Sequence, residues 1–300
     1  MRILISADGS QWAVKSARFA LQLFRNTDHE VTILVFKQRA RDLPKKKEKI
    51  TRDLRRKGDL EGAARKADVI EEEVEDLVDE LSLKQGDVEW RQARGDMAKY
   101  LLGVAPNYDL VCIGGAGKGG FSQQLLGMIA DEIVMSGEGN LMVTKATDKL
   151  CRKVLVTVMV NDLSDKLANY LGSLFGGTGT ELSLEVIRDD QPRRFDGYLN
   201  AASGERLKQM AQDDLFVDSS RRDEVTEIIE SYGVECHYAD RDFESMGDLI
   251  DKADPNSYDL LIIHPPPEDS RLFGLFGNEA KHLKLMRRSQ TNVMLLRRLI

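Results

Sequence analysis

Residues 2–24 read RILISADGSQWAVKSARFALQLF, and residues 153–175 read KVLVTVMVNDLSDKLANYLGSLF. Each stretch is a short β-branched run followed by a helical pattern that closes on Leu-Phe. Leu23, Phe24, Thr27 and Glu30 return 151 positions later as Leu174, Phe175, Thr178 and Glu181. Tyr108-Asp109-Leu110 returns 150 positions later as Tyr258-Asp259-Leu260, and Gly127 as Gly277. An offset that stays nearly constant over such a distance marks internal duplication. The chain therefore reads as two homologous halves, residues 1–147 and 152–300, joined near Thr147–Arg152.

Within each half, short apolar runs alternate with helical stretches. The runs fall near 2–7, 31–36, 88–93, 109–114 and 141–145, then near 153–159, 182–187, 234–238, 259–263 and 292–296. Leu110-Val111-Cys112-Ile113 is apolar throughout, as a parallel strand covered on both faces must be. Strand–helix–strand alternation predicts an α/β fold of two tandem, doubly wound, Rossmann-like domains, each with a mainly parallel five-stranded sheet. Such sheets bind ligands beyond the carboxyl ends of their strands, which directs attention to Ala7–Ser10 and Gly114–Gly120.

The chain has 300 residues with 43 Lys+Arg against 50 Asp+Glu, a formal charge of −7. That balance argues against an electrostatic grip on nucleic acid. The opening MRILISADGS does not resemble a signal peptide, and no apolar run approaches the roughly 20 residues of a membrane span. Cys112, Cys151 and Cys236 are odd in number and unclustered, so a disulfide framework is not expected and the cytoplasm is the expected compartment. A basic block over 37–57 is followed by an acidic block over 61–80. No aromatic residues interleave the lysines, and the reading is a solvated loop and helix whose charges attract each other.

The densest chemical signal is Ile113-Gly114-Gly115-Ala116-Gly117-Lys118-Gly119-Gly120. A nicotinamide fingerprint would follow the first strand, and this run follows the fourth. A P-loop would place Ser or Thr after Gly117-Lys118, and Gly119 stands there. The dispersed His29, His237, His264 and His282 form no metal-cage spacing, and Ser10 has no recognisable triad partner.

Gly114, two residues, Gly117, nine residues, Gly127, together with Asp8-Gly9-Ser10 after the first strand, resembles the universal stress protein family. The resemblance spans both tandem copies. It implies ATP or a related adenine nucleotide (ADP or AMP), with Mg²⁺ as a possible companion, bound in the first half. By position, Gly114, Gly117 and Gly127 line the phosphates, Asp8 meets the adenosine part with Gly9 and Ser10 beside it, Phe36 offers backbone hydrogen bonds to adenine, and Ala130 is a small contact residue. Lys118 adds charge near the phosphates. Glycines allow such an approach because they let backbone N–H groups converge on an anion. The resemblance also implies that the fifth strands, near Leu141–Lys145 and Val293–Arg297, pair the halves into a pseudo-dimer.

Met128 replaces the family's Ser or Thr after the last glycine, removing a hydroxyl worth on the order of 1 kcal/mol to a phosphate. The second half departs further: Gly114 becomes His264, Gly117 becomes Pro267, and Asp8 becomes Met159. Prolines have no N–H to cradle an anion. The expected function is a cytoplasmic stress-response protein that binds an adenine nucleotide in its first half and acts through conformation or assembly. At most slow ATP hydrolysis is expected, because no general base is evident. Homodimerisation and an unnamed protein partner are expected, nucleic acid and membrane are not. The alternative is a tandem scaffold that binds no nucleotide because of Met128.

Overall fold

The computed structural model describes residues 1–7, 11–24, 27–36, 74–79, 88–93, 97–114, 139–145, 150–159, 162–187, 220–239, 246–265 and 285–299. The first half runs β1 (Arg2–Ala7), α1 (Gln11–Phe24), β2 (Glu30–Phe36), β3 (Val88–Ala93), α2 (Met97–Val104), β4 (Leu110–Gly114) and β5 (Leu141–Thr144). The second runs β6 (Lys153–Met159), α3 (Asp165–Phe175), β7 (Glu181–Ile187), β8 (Glu235–Ala239), α4 (Met246–Lys252), β9 (Leu260–Ile263) and β10 (Asn292–Leu295). Residues 74–79, 220–231 and 285–288 are also helical. The charged blocks of 37–57 and 61–80 lie outside the described residues, apart from 74–79.

The ten strands form one sheet in the order β3-β2-β1-β4-β5-β10-β9-β6-β7-β8. Each half thus repeats the same doubly wound order about its own first strand. All neighbours are parallel except at the centre, where β5 and β10 are antiparallel with Val143 opposite Val293, Met142 opposite Met294 and Leu141 opposite Leu295. The expected pairing of the fifth strands is therefore the seam of the molecule. It buries an edge on each half that would otherwise present unpaired backbone groups.

The strands form where the sequence is apolar on both faces. In β1 every residue after Arg2 is buried, and β4 is buried from end to end. Successive side chains then supply two separate cores. One face combines Ile3, Ile5, Val154 and Val156 with α1 and α3. The other combines Leu4, Val111, Leu155 and Leu261 with Leu101 of α2 and Leu249 of α4. Both cores draw on both halves, so the seam is not a cleft between independent bodies. α3 shows the local logic: the Ser164 hydroxyl accepts the Leu167 N–H at 3.3 Å, and Asp165 sits in the positive first turn. Leu167, Leu171, Leu174 and Phe175 then make the buried stripe.

The duplication extends to hydrogen bonds. Thr27 Oγ1 donates to Phe24 O at 2.6 Å after α1, and Thr178 Oγ1 donates to Phe175 O at 2.6 Å after α3. Asp109 accepts the Arg2 N–H at 2.7 Å, and Asp259 accepts the N–H of the matching Lys153 at 3.0 Å. These repeated positions are the ones the sequence offset had marked.

Candidate functional site

In the order β3-β2-β1-β4-β5, the chain lays β2 and β3 on one side of β1 and then crosses to place β4 on the other. The order reverses between β1 and β4, so the crevice at their carboxyl ends is the ligand position of this architecture. The register aligns Ala7 with Val35 and Ser6 with Leu34 on one side, and Ser6 with Ile113 on the other. Gly114 lies opposite Thr144. The ends of β1, β2, β4 and β5 therefore form a single row.

Of the residues singled out by sequence, Phe36 ends β2 and Gly114 ends β4, both on this row. Asp8, Gly9 and Ser10 follow directly on Ala7, but they lie outside the described residues, as do Gly117, Lys118, Gly127, Met128 and Ala130. Gly114 is buried and carries no side chain into the crevice. Two features here were not anticipated from the sequence. Ser6, 2% exposed, carries a buried hydroxyl with no hydrogen-bond partner among the described residues. Thr144, beside Gly114, has its hydroxyl 2.5 Å from Ser16 Oγ of α1 and 3.3 Å from Ile113 O. The described part of this row thus offers the main chain at Gly114 and one polar side chain without a partner, Ser6.

The next residue, Lys145, connects this row to the other half. Its ammonium donates to Met286 O and its backbone N–H to Asn292 Oδ1, the latter at 2.6 Å. Burial pulls the Lys145 ammonium down to about 8.

The matching row of the second half is built differently. His264 stands where Gly114 stands; its N–H donates to Thr157 O at 3.1 Å, and its Nδ1 lies 2.7 Å from Leu296 O. The imidazole thus bridges the ends of β9 and β10. Thr157, the counterpart of Ser6, donates its hydroxyl to Ile262 O at 3.1 Å. Glu185 replaces Leu34 and is fully buried in an ion pair with Lys252 of α4. Burying such a pair is costly unless it is kept together, which ties α4 to β7. Met159 ends β6, while Pro267 and Gly277 lie outside the described residues.

Other candidates resolve as packing. Cys112, Cys151 and Cys236 are free and buried. Burial raises all three thiols, that of Cys236 to about 12. On β8, Cys236 is buried and His237 exposed, the opposite faces expected of neighbours on a strand. Trp90 packs against the core. His29 reaches Leu174 O of the second half at 3.3 Å, and burial lowers its pKa. No group of three or more metal-ligating side chains occurs among the described residues. No described helix is long and apolar enough to cross a membrane.

A polar cleft of about 720 Å³ opens at the opposite end of the sheet, lined by Arg2, His29, Thr32, Glu89, Arg91 and Tyr108 among others. Its charges are largely matched internally, with Arg91 Nε on Glu89 Oε1 at 2.7 Å and Thr32 Oγ1 3.4 Å from Glu89 Oε2.

The model of the universal stress protein family matches residues 1–145. The chain is similar in fold to a universal stress protein from Archaeoglobus fulgidus DSM 4304, with 15% identity, a TM-score of 0.52, and coverage of 99% of this chain and 96% of that one. A functionally unknown protein from Pseudomonas aeruginosa PAO1 aligns at 14% identity and a TM-score of 0.48, over 98% of this chain and 92% of its own. A universal stress protein crystallised in complex with cAMP aligns at 16% identity and a TM-score of 0.30, covering 49% of this chain and 97% of that one. No curated protein sequence gives a significant match. At these identities the structural likeness concerns the fold alone, and the family is shown for the first half of the chain: residues 1–145 match the universal stress protein family.

Proposed function

We propose that the chain is a stress-response protein that binds ATP or a related adenine nucleotide at the carboxyl ends of β1, β2 and β4. Residues 1–147 form the binding domain in this reading, and residues 152–300 a degenerate partner domain. The observation that carries it is the row flanking the order reversal, where β1 ends at Ala7, β2 at Phe36 and β4 at Gly114; in the sequence Asp8 follows directly on Ala7. Main-chain N–H groups of Gly114, Gly117 and Gly127 supply most of the phosphate grip, so the loss of one hydroxyl at Met128 weakens the site without removing it. Lys118 adds a positive charge, and Gly9, Ser10 and Ala130 line the remainder. A bound triphosphate brings Mg²⁺ as a counter-ion. The protein acts by nucleotide-dependent conformation or assembly, homodimerisation included, in the cytoplasm. Turnover is at most slow ATP hydrolysis, because no described side chain is placed as a general base beside this row.

The second half supports an asymmetric reading. His264 Nδ1 lies 2.7 Å from Leu296 O, a side-chain contact between strand ends that Gly114 cannot make in the first half.

A thermal-shift titration of the full chain with ATP and Mg²⁺ tests the reading. A ligand at 100 times its dissociation constant adds about 2.7 kcal/mol of apparent stability. Gly117→Val is expected to abolish the shift while the fold stands, and Met128→Ser to enlarge it. A wild-type protein that shows no shift with ATP, ADP or AMP instead favours the scaffold reading, in which Met128 marks a site that has lost its ligand.

A further inference from the structure

We infer that Ser6 is a nucleotide-contacting residue whose hydroxyl is completed by a ligand oxygen. Ser6 is the penultimate residue of β1, between Leu34 of β2 and Ile113 of β4. It therefore sits at the point where the strand order reverses. Its hydroxyl is buried, at 2% exposure, and has no partner among the described residues. Buried hydroxyls nearly always have one, and an orphan destabilises the protein that carries it.

The duplication supplies an internal control. Thr157 holds the same place in β6, between Glu185 and Ile263. Its hydroxyl donates to Ile262 O at 3.1 Å and is satisfied within the protein. The residue matching Ile262 in the first half is Cys112, whose carbonyl is present on β4, yet Ser6 does not use it. The half that carries His264 has spent this hydroxyl internally, and the half that carries Gly114 leaves it without a partner among the described residues. Strand geometry alone does not explain that difference, because the two registers are the same. A ligand acceptor in the first crevice does.

The acceptor is an oxygen of an adenosine nucleotide, on the ribose or on an adjoining phosphate, and the inference rests on the nucleotide reading above. Ser6→Ala in the full chain separates a ligand role from a packing role. Removal of an orphan hydroxyl leaves the unliganded protein as stable as before or more stable, so its unfolding temperature without ligand is expected to hold or rise. Its affinity is expected to fall about 3- to 10-fold. Titration with both adenosine and ATP identifies the oxygen: loss with both points to the ribose, loss with ATP alone to a phosphate. Thr157→Ala is the control, expected to lower the unfolding temperature and leave affinity unchanged.

Equal affinity of wild type and Ser6→Ala for both probes overturns the inference while the nucleotide reading stands. An affinity loss matched by Thr157→Ala also overturns it, because the effect is then not local. A wild-type protein that binds neither probe removes the nucleotide reading itself, and the inference with it.

Discussion

The side-chain oxygen of Asn140 accepts the backbone N–H of Arg297 at 2.8 Å, across the seam between the two halves. The same oxygen accepts the Arg298 N–H at 2.8 Å, and Asn140 Nδ2 donates to Asp109 O at 3.0 Å. Asn292 repeats the arrangement in the other direction. Its Oδ1 accepts the Lys145 N–H at 2.6 Å and its Nδ2 donates to Asp259 O at 2.6 Å. Each half therefore holds the strand end of the other with one amide. Gly139, at φ +72°, turns the chain immediately before Asn140. A side chain there would be strained, which fixes how the amide enters the seam.

Asn140→Ala leaves the Arg297 and Arg298 N–H groups and the Asp109 carbonyl without this partner, and about 2–4 kcal/mol of stability is expected to be lost. Asn292→Ala removes fewer bonds, and a smaller loss of about 1–3 kcal/mol is expected. Urea unfolding of the two variants measures both. Equal stability of Asn140→Ala and wild type would show that the Asn140 amide does not hold the seam.

Lys145 makes the seam sensitive to alkali in a stated direction. Burial lowers its ammonium from 10.5 to about 8. Between those values the unfolded chain holds a proton that the folded chain has released, so stability rises with pH across that window. Below about pH 8 both states are protonated and the penalty is present in full. The stability of wild type relative to Lys145→Met is thus expected to be flat below pH 8 and to climb by about 1–3 kcal/mol as pH approaches 10.5. Parallel urea titrations across this range supply the comparison.

Gly172 lies inside α3, where a glycine ordinarily costs about 1 kcal/mol relative to alanine. A Cβ at this position would meet the Tyr232 ring, 2.3 Å from its Cδ2. Tyr232 in turn donates its hydroxyl to Asn169 Oδ1 at 2.9 Å. Gly172→Ala is expected to destabilise the protein by about 1–3 kcal/mol despite the better helix propensity. Adding Tyr232→Ala is expected to recover part of that loss in a double-mutant cycle on unfolding free energies.

The three thiols are buried and raised, Cys236 to about 12. A thiol reagent at pH 8 is therefore expected to label the native protein slowly and the urea-unfolded protein at once, with all three cysteines reacting in the latter. Fast labelling of one cysteine without denaturant would show local opening around its strand.

Much of the architecture was legible in the residues. The strand runs appear where they were expected, because strands buried on both faces leave uninterrupted apolar stretches such as Leu110–Ile113. Thr27 and Thr178 recurred at the common offset because each ends its helix with the same bond. Asn140 and Asn292 were also readable as a repeat, but 152 positions separate them, and a polar residue beside a strand looks like surface. Their role depends on what lies across the seam, which local pattern does not encode. Ser6 was hidden for the same reason: a serine in an apolar run reads as a tolerated polar residue until its neighbours are known. Glu185 and Lys252 are far apart in sequence, and only the fold brings α4 over β7.

The antiparallel join of β5 to β10 has a consequence for how such a chain can evolve and signal. Two separate subunits meet only as often as their concentration allows, whereas neighbours on one polypeptide share a high and constant effective concentration. Dilution or low expression leaves their one-to-one stoichiometry intact. The second half therefore stays paired with the first whether its own strand ends carry a glycine, as at Gly114, or a histidine, as at His264.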